Sequence, residues 1–187
     1  MKTILMTGVC GVGKSTLSSE LSQSIGCTWG DYADIMLDVM GETDKDKIQF
    51  LEEMDKLDII DKAELVASER FADASTDDKL HIFENHLSIV QDGEILTFPM
   101  TDYDRYNSIG IIVVEALCKT IIDRRKTDPA RSRLVETDDL IDRQQQINLK
   151  EANKVSSYLD IPYVRIVNEE KDLSIAALRS WCVSLTS

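Results

Sequence analysis

Histidine and cysteine are scarce in this chain. His81 and His86 are the two histidines, and the four cysteines (Cys10, Cys27, Cys118, Cys182) include no C-x-x-C pair. Such a set argues against a structural zinc site. Scattered thiols without a framework fit a reducing compartment better than a secreted disulfide scaffold. Three prolines and eight glycines in 187 residues argue against long disordered tracts. No apolar run approaches the roughly 18 residues that a membrane span needs. The first residues, one lysine before a short apolar run, lack the layout of a signal peptide. A cytoplasmic protein is expected. Positive charge is also in short supply: 21 Lys and Arg face 34 Asp and Glu, for a net charge of −13. A surface so acidic disfavours nucleic-acid and anionic-membrane partners. An anionic substrate would need a local basic patch.

What is present suits one domain over 1–187, long enough to bury a core without staples. Strand-like and helix-like segments alternate. "TILMTG" (3–8) reads as a buried strand, and "KSTLSSELSQSIG" as a helix stopped by Gly26. "CTW" predicts a short strand and "GDYADIMLDVM" a loop or helix; Lys45 to Ala74 is charged and helix-prone. "LHIFENH" (80–86) predicts a third strand. "IVQDGEILTFP" carries an Asp-Gly turn signal, either a loop or a small hairpin. "IGIIVVEA" (109–116) is the strongest strand, continuous and β-branched, as a parallel sheet covered on both faces requires. "LCKTIIDRRK" is helical and is broken near Pro129. A long helix over 136–159 follows, with Thr137 as N-cap, then a strand "YVRIVN" (163–168) and a closing helix. This alternation predicts a three-layer α/β fold around a parallel sheet.

The stretch "GVCGVGKST" meets the pattern G-x-x-x-x-G-K-[ST] at Gly8, Gly13, Lys14 and Ser15. Its chemistry explains its residues. Backbone N–H groups, here of Cys10, Gly11, Val12 and Gly13, must turn inward to meet phosphate oxygens, and glycine permits the close approach. The helix that follows presents its N-terminus to the anion. Lys14 reaches the β- and γ-phosphates, Ser15 ligates Mg²⁺, and Thr16 touches the α-phosphate. ATP with Mg²⁺ is the expected cofactor pair. The thiol of Cys10 is read as a small loop filler.

A basic window opposes the acidic background. Arg124, Arg125, Lys126, Arg131 and Arg133 fall within ten residues. Arg124 and Arg125 alone would suit a solvated helix end. Arg131 and Arg133, past the break, suggest a lid over about 126–135 that closes on the phosphates.

In order along the chain, the phosphate loop, "GDYADIM", "ENH", "IIVVEA", "DRRKTDPARSR", "DDLIDRQQQINLKEA" and "VRIVN" resemble the archaeal-type adenylate kinases, within the P-loop nucleoside monophosphate kinase-like family. The resemblance implies a five-stranded parallel sheet of order 2-3-1-4-5, with an acceptor-binding helical region over about 30–78. It implies that Gly30–Asp31 opens the acceptor site and that His86 stands beside the phosphates. Glu84 takes a position that is usually aspartate and would hold Mg²⁺ through water. Arg124, Arg131 and Arg133 match lid arginines, and Gln145 and Asn148 match polar positions of a conserved helix motif. Four positions depart from the family pattern: Gln144 and Leu149 replace a histidine and an arginine, Cys10 replaces a proline, and "TFP" (97–99) replaces the acceptor loop. Arg105 is a substitute cation for the acceptor. Trp29 suits either stacking on an acceptor base or core packing.

The leading expectation is γ-phosphoryl transfer from ATP to a nucleoside monophosphate, most simply AMP, with Lys14, Arg124, Arg131 and Arg133 neutralising the transferring group. A small-metabolite kinase of the shikimate or gluconate type is the first alternative. It would act on a hydroxyl and need a carboxylate base, Asp31 or Asp34. A nucleotide-dependent binding module with slow ATPase is the other.

Overall fold

The computed structural model describes residues 2–49, 53–73, 79–91, 93–128 and 136–186. A five-stranded parallel sheet runs through its centre. The strands are β1 (Lys2–Thr7), β2 (Thr28–Asp31), β3 (Leu80–Glu84), β6 (Ser108–Glu115) and β7 (Tyr163–Val167). Their order across the sheet is β2-β3-β1-β6-β7, the expected 2-3-1-4-5 when the central strands are counted alone. Every pairing in it is parallel. Strand β6 is buried from Gly110 to Glu115, which accounts for its unbroken run of β-branched residues.

Side-chain alternation splits the core into two layers. Leu5, Phe83, Ile111 and Val113 face one side, where Tyr32, Ile35 and Met36 of α2 (Tyr32–Met40), Ala63 and Ala67 of α4 (Glu53–Asp73), and Ala152 and Val155 of α6 (Asp138–Leu159) cover them. Ile4, Met6, Ile82, Ile112 and Val114 face the other. There Leu17 and Leu21 of α1 (Lys14–Ile25), Ile121 of α5 (Cys118–Thr127) and Leu178 of α7 (Lys171–Thr186) close the core. The inner strands β1, β3 and β6 are thus apolar on both faces, as a sheet wrapped by crossover helices requires.

Local signals place most element ends. Gly26 ends α1 in the left-handed conformation. Thr137 caps α6 by accepting from Leu140 N, with Asp138 and Asp139 in the first turn. Asp31 caps α2 by accepting from Ala33 N. The ambiguous "IVQDGEILTFP" segment contains an antiparallel hairpin, β4 (Ser88–Gln91) with β5 (Glu94–Thr97). A 3-10 segment, Met100–Tyr106, leads into β6. A one-turn helix, α3 (Asp46–Gln49), precedes α4. No helix among the described residues is long and apolar enough to cross a membrane.

His81 lies on β3 beside edge strand β2, where Thr28 Oγ1 hydrogen-bonds its Nδ1 at 2.8 Å. Burial lowers its pKa to about 4. The unfolded chain therefore binds a proton near pH 6.5 that the folded ring refuses until about pH 4, so this contribution to stability is lost as pH falls through that window. After discounting for partial exposure, the effect is on the order of 1–2 kcal/mol. Urea midpoints at pH 7 and pH 4.5 should converge more closely in His81→Gln than in the parent. Equal pH sensitivity of the two would refute the assignment.

Candidate active site

The phosphate loop joins β1 to α1 at the C-terminal edge of the sheet, where parallel α/β folds place ligands. Gly13 adopts φ 95°, a left-handed turn that starts α1 at Lys14 and leaves its first N–H groups facing the loop. Lys14 is only 8 % exposed. Its Nζ donates to Gly8 O at 2.7 Å and Val9 O at 3.3 Å, which holds the ammonium within the loop. A cavity of about 610 Å³ opens over this turn. Cys10, Gly11, Gly13, Lys14, Ser15 and Thr16 form its floor.

One wall is braced by α5 and the end of β7. Arg124 donates to Val12 O at 2.9 Å and to Asn168 O at 2.8 Å, and its side chain lines the cavity. Asn168 Nδ2 donates to the same Val12 carbonyl at 2.8 Å. Arg125 is buried; its Nε donates to Cys10 O at 3.0 Å and its guanidinium pairs with Glu136. The solvated-helix-end reading therefore fails for Arg125. Two loop carbonyls that point away from the floor need donors, and the last turn of α5 supplies them.

The opposite wall comes from the ends of β2 and β3, which pair Asp31 with Glu84 in register. Ser15 Oγ donates to Glu84 Oε2 at 2.9 Å, while Glu84 Oε1 is buried without a protein hydrogen-bond partner. Burial pushes the Glu84 carboxyl up, and the Lys14 charge with the serine hydrogen bonds partly offsets it. A hydroxyl and an unsatisfied carboxylate oxygen this close suit Mg²⁺, a hard cation that keeps several waters and takes few protein ligands at kinase sites. Among the described residues no cluster of three or more His, Cys, Asp or Glu side chains forms a separate metal site.

Asp31, Trp29, His86 and Lys45 complete this wall. Burial works to raise the Asp31 carboxyl. The Lys45 hydrogen bond and charge, the Ala33 N–H and the His86 charge outweigh it and hold the group below the usual carboxylate range. Lys45 Nζ lies 2.8 Å from Asp31 Oδ2 and 2.5 Å from Asp34 Oδ1. Trp29 is 38 % exposed, so it is not core packing.

Lys14, Ser15, Arg124, Asp31, Glu84 and His86 thus gather around one cavity together with most of the loop. Other expected residues stand elsewhere. Arg105 pairs with Glu64 at 3.3 Å and donates to Ser68, bracing the 3-10 segment against α4 outside the cavity lining. Gln145 accepts from Ala116 N at 3.0 Å, Gln144 donates to Ser88 O, and Asn148 accepts from Thr7 Oγ1. These amides of α6 satisfy buried backbone and hydroxyl groups. Leu149 packs against the core. Arg131, Arg133 and most of the expected lid lie outside the described residues. Sequence reading missed Lys45 and the bracing roles of Arg125 and Asn168. Lys45 carries no local signal beyond charge, although Asn168 at the end of a predicted strand sits where a loop-facing polar group is useful.

Comparison with known proteins agrees with this architecture. A family model described as an AAA domain matches residues 7–142. An adenylate kinase of Thermoplasma acidophilum is 30 % identical over 172 residues, spanning 89 % of each chain. Among solved structures, a shikimate kinase from Acinetobacter baumannii in complex with shikimate superposes with a TM-score of 0.59 at 15 % identity, over 97 % of this chain and 93 % of that one. A deoxyadenosine kinase from M. mycoides superposes with a TM-score of 0.58 at 18 % identity, over 98 % of this chain and 100 % of that one. A phosphate loop with its lysine enclosed, a carboxylate on the serine that follows, and these likenesses lead to one conclusion: the chain belongs to the AAA domain family and is a P-loop nucleotide-binding kinase related to the adenylate kinases.

Proposed function

We propose that this kinase transfers the γ-phosphoryl group of ATP to a hydroxyl of a small-molecule acceptor, with Asp31 taking the hydroxyl proton. The observation that carries this reading is Asp31 itself: an ionised carboxylate on the wall across from Arg124, held in place by Lys45 and the Ala33 N–H. The acceptor oxygen attacks the γ-phosphorus, the bond to the β,γ-bridging oxygen breaks, ADP departs, and the proton passes to Asp31. A weak base suffices, because nucleophile deprotonation lags in a loose phosphoryl-transfer transition state. Lys14 and Arg124 neutralise the transferring oxygens, joined in this proposal by Arg131 and Arg133. Ser15, with Glu84 through water, would hold Mg²⁺, which would supply positive charge for the β- and γ-phosphates. Such an enzyme would work in the cytoplasm, where ATP is plentiful.

A second reading, transfer to AMP, is favoured by the adenylate kinase relative that matches along 89 % of this chain. Against it, Arg124 is the one arginine lining the cavity among the described residues, and Arg105 is turned to Glu64. A phosphate acceptor needs cations more than it needs a base.

Product analysis by phosphorus NMR separates the two. A phosphate monoester in equal amount to ADP supports the hydroxyl acceptor; two ADP per AMP consumed supports the other. Asp31→Asn should lower kcat by about 10²–10³-fold with ATP affinity unchanged. An unaltered kcat would remove Asp31 from the mechanism.

A further inference from the structure

We infer that the acceptor is a neutral polyhydroxylated ring, a sugar or the ribose of a nucleoside, and that Lys45 determines this selectivity. The inference rests on the hydroxyl-acceptor reading and goes beyond it to substrate class. Lys45 and His86 are the basic residues on the acceptor wall among the described lining residues, and Lys45 is the one in direct contact with carboxylates. It is already shared: Asp31 and Asp34 both bond its ammonium, so the three groups together carry a charge of about −1. Glu84 lies alongside, coupled to Asp31 by charge and directed at the metal site. The γ-phosphate of ATP would add further negative charge across the cavity. An acceptor bearing its own carboxylate or phosphate would meet net repulsion here, because Asp31, Asp34 and Glu84 outnumber Lys45 and His86.

A neutral polyol meets a better match. Asp31 has one oxygen on Lys45 and the other on the Ala33 N–H, each with a further lone pair for a hydroxyl. Asp34, with a side chain 55 % exposed, offers its second oxygen to a neighbouring hydroxyl. The ammonium keeps the two carboxylates together where they would otherwise repel, so it builds a clasp for adjacent hydroxyls. Trp29, exposed on the same wall, supplies a flat apolar face for the C–H side of a sugar or for a base. Lys45 here is a positioning residue, acting through the two carboxylates.

The test uses Trp29 fluorescence on the full chain, saturated with Mg²⁺ and a non-hydrolysable ATP analogue so that the phosphate loop is filled. Trp29→Phe identifies the signal. Two pairs of probes differ only by a phosphate: adenosine against AMP, and D-ribose against ribose 5-phosphate. The neutral member of at least one pair should bind about tenfold tighter or more than its phosphorylated partner. Preference for adenosine identifies a nucleoside, and preference for ribose a free sugar. Lys45→Met should weaken the neutral probe about tenfold and leave affinity for the ATP analogue unchanged. Asp34→Asn, which removes one exposed charge, should narrow the neutral-to-anionic ratio about two- to fivefold. Equal or tighter binding of the phosphorylated partners overturns the inference, as does binding of neither member of either pair. The hydroxyl-acceptor reading fails on a different result, an anhydride product or an unaffected Asp31→Asn variant.

Discussion

Lys14→Ala should lower phosphoryl transfer by about 10²–10³-fold, as large a loss as any expected from one side chain in this protein. The lysine is held at 8 % exposure between two loop carbonyls, 2.7 Å from Gly8 O and 3.3 Å from Val9 O. It is a buried ammonium surrounded by inward-turned backbone, so its charge acts where dielectric screening is weak. Its loss also leaves those carbonyls short of a donor, at a cost to stability of about 1–2 kcal/mol. Two measurements separate these consequences. Steady-state rates should fall by the stated factor, while the urea midpoint should shift only slightly. A variant that keeps its kcat would exclude Lys14 from the chemistry, and one that unfolds would recast it as a structural strut.

Gly8→Ala should be the most damaging small substitution for the fold. A Cβ built on Gly8 would lie 2.3 Å from the Val114 carbonyl oxygen and 3.0 Å from a Val12 methyl. Val114 is fully buried on β6, between β1 and β7, and its backbone has no room to retreat. The glycine also holds φ 151°, a region where side chains are strained. Together these should cost about 3–5 kcal/mol, against a total stability of about 5–15 kcal/mol for a domain of this kind. Urea unfolding monitored by circular dichroism is the check. A midpoint within error of the parent would mean that β1 and β6 can separate at this point without penalty. Gly8 therefore serves the sheet as much as the phosphate: it lets the loop leave β1 directly over the neighbouring strand.

Parts of this protein were legible from local sequence because their causes are local. The phosphate loop uses backbone groups, so its residues are dictated by turn geometry within nine positions. Strand β6 announced itself through five β-branched residues among eight, and Thr137 marked the start of α6 through its own side-chain cap. The carboxylate that accepts from Ser15 was reached through the family resemblance and not through local pattern, since Glu84 stands where an aspartate is usual. The hairpin was half legible, since its Asp-Gly signal fits a loop equally well until a partner strand is in place.

The acceptor side was not legible in that way. Arg105, Gln144 and Gln145 have the right chemistry for substrate contacts, yet each is consumed by another part of the protein. Sequence cannot say which backbone carbonyl or carboxylate a long polar side chain will meet, because that depends on elements tens of residues away. Arg125 is the reverse case: a residue that looked like a solvated helix end is buried at Cys10 O and Glu136. Lys45 reaches Asp31 and Asp34 from a segment with little pattern of its own.

The sequence by itself thus determined the layered parallel fold and the place of the phosphate loop, since strand periodicity and a glycine turn are short-range properties. Only the tertiary structure decided which charges face the cavity and which are neutralised before a substrate arrives. Charge pairing is settled by distances between chain segments, and those exist only after the sheet has assembled.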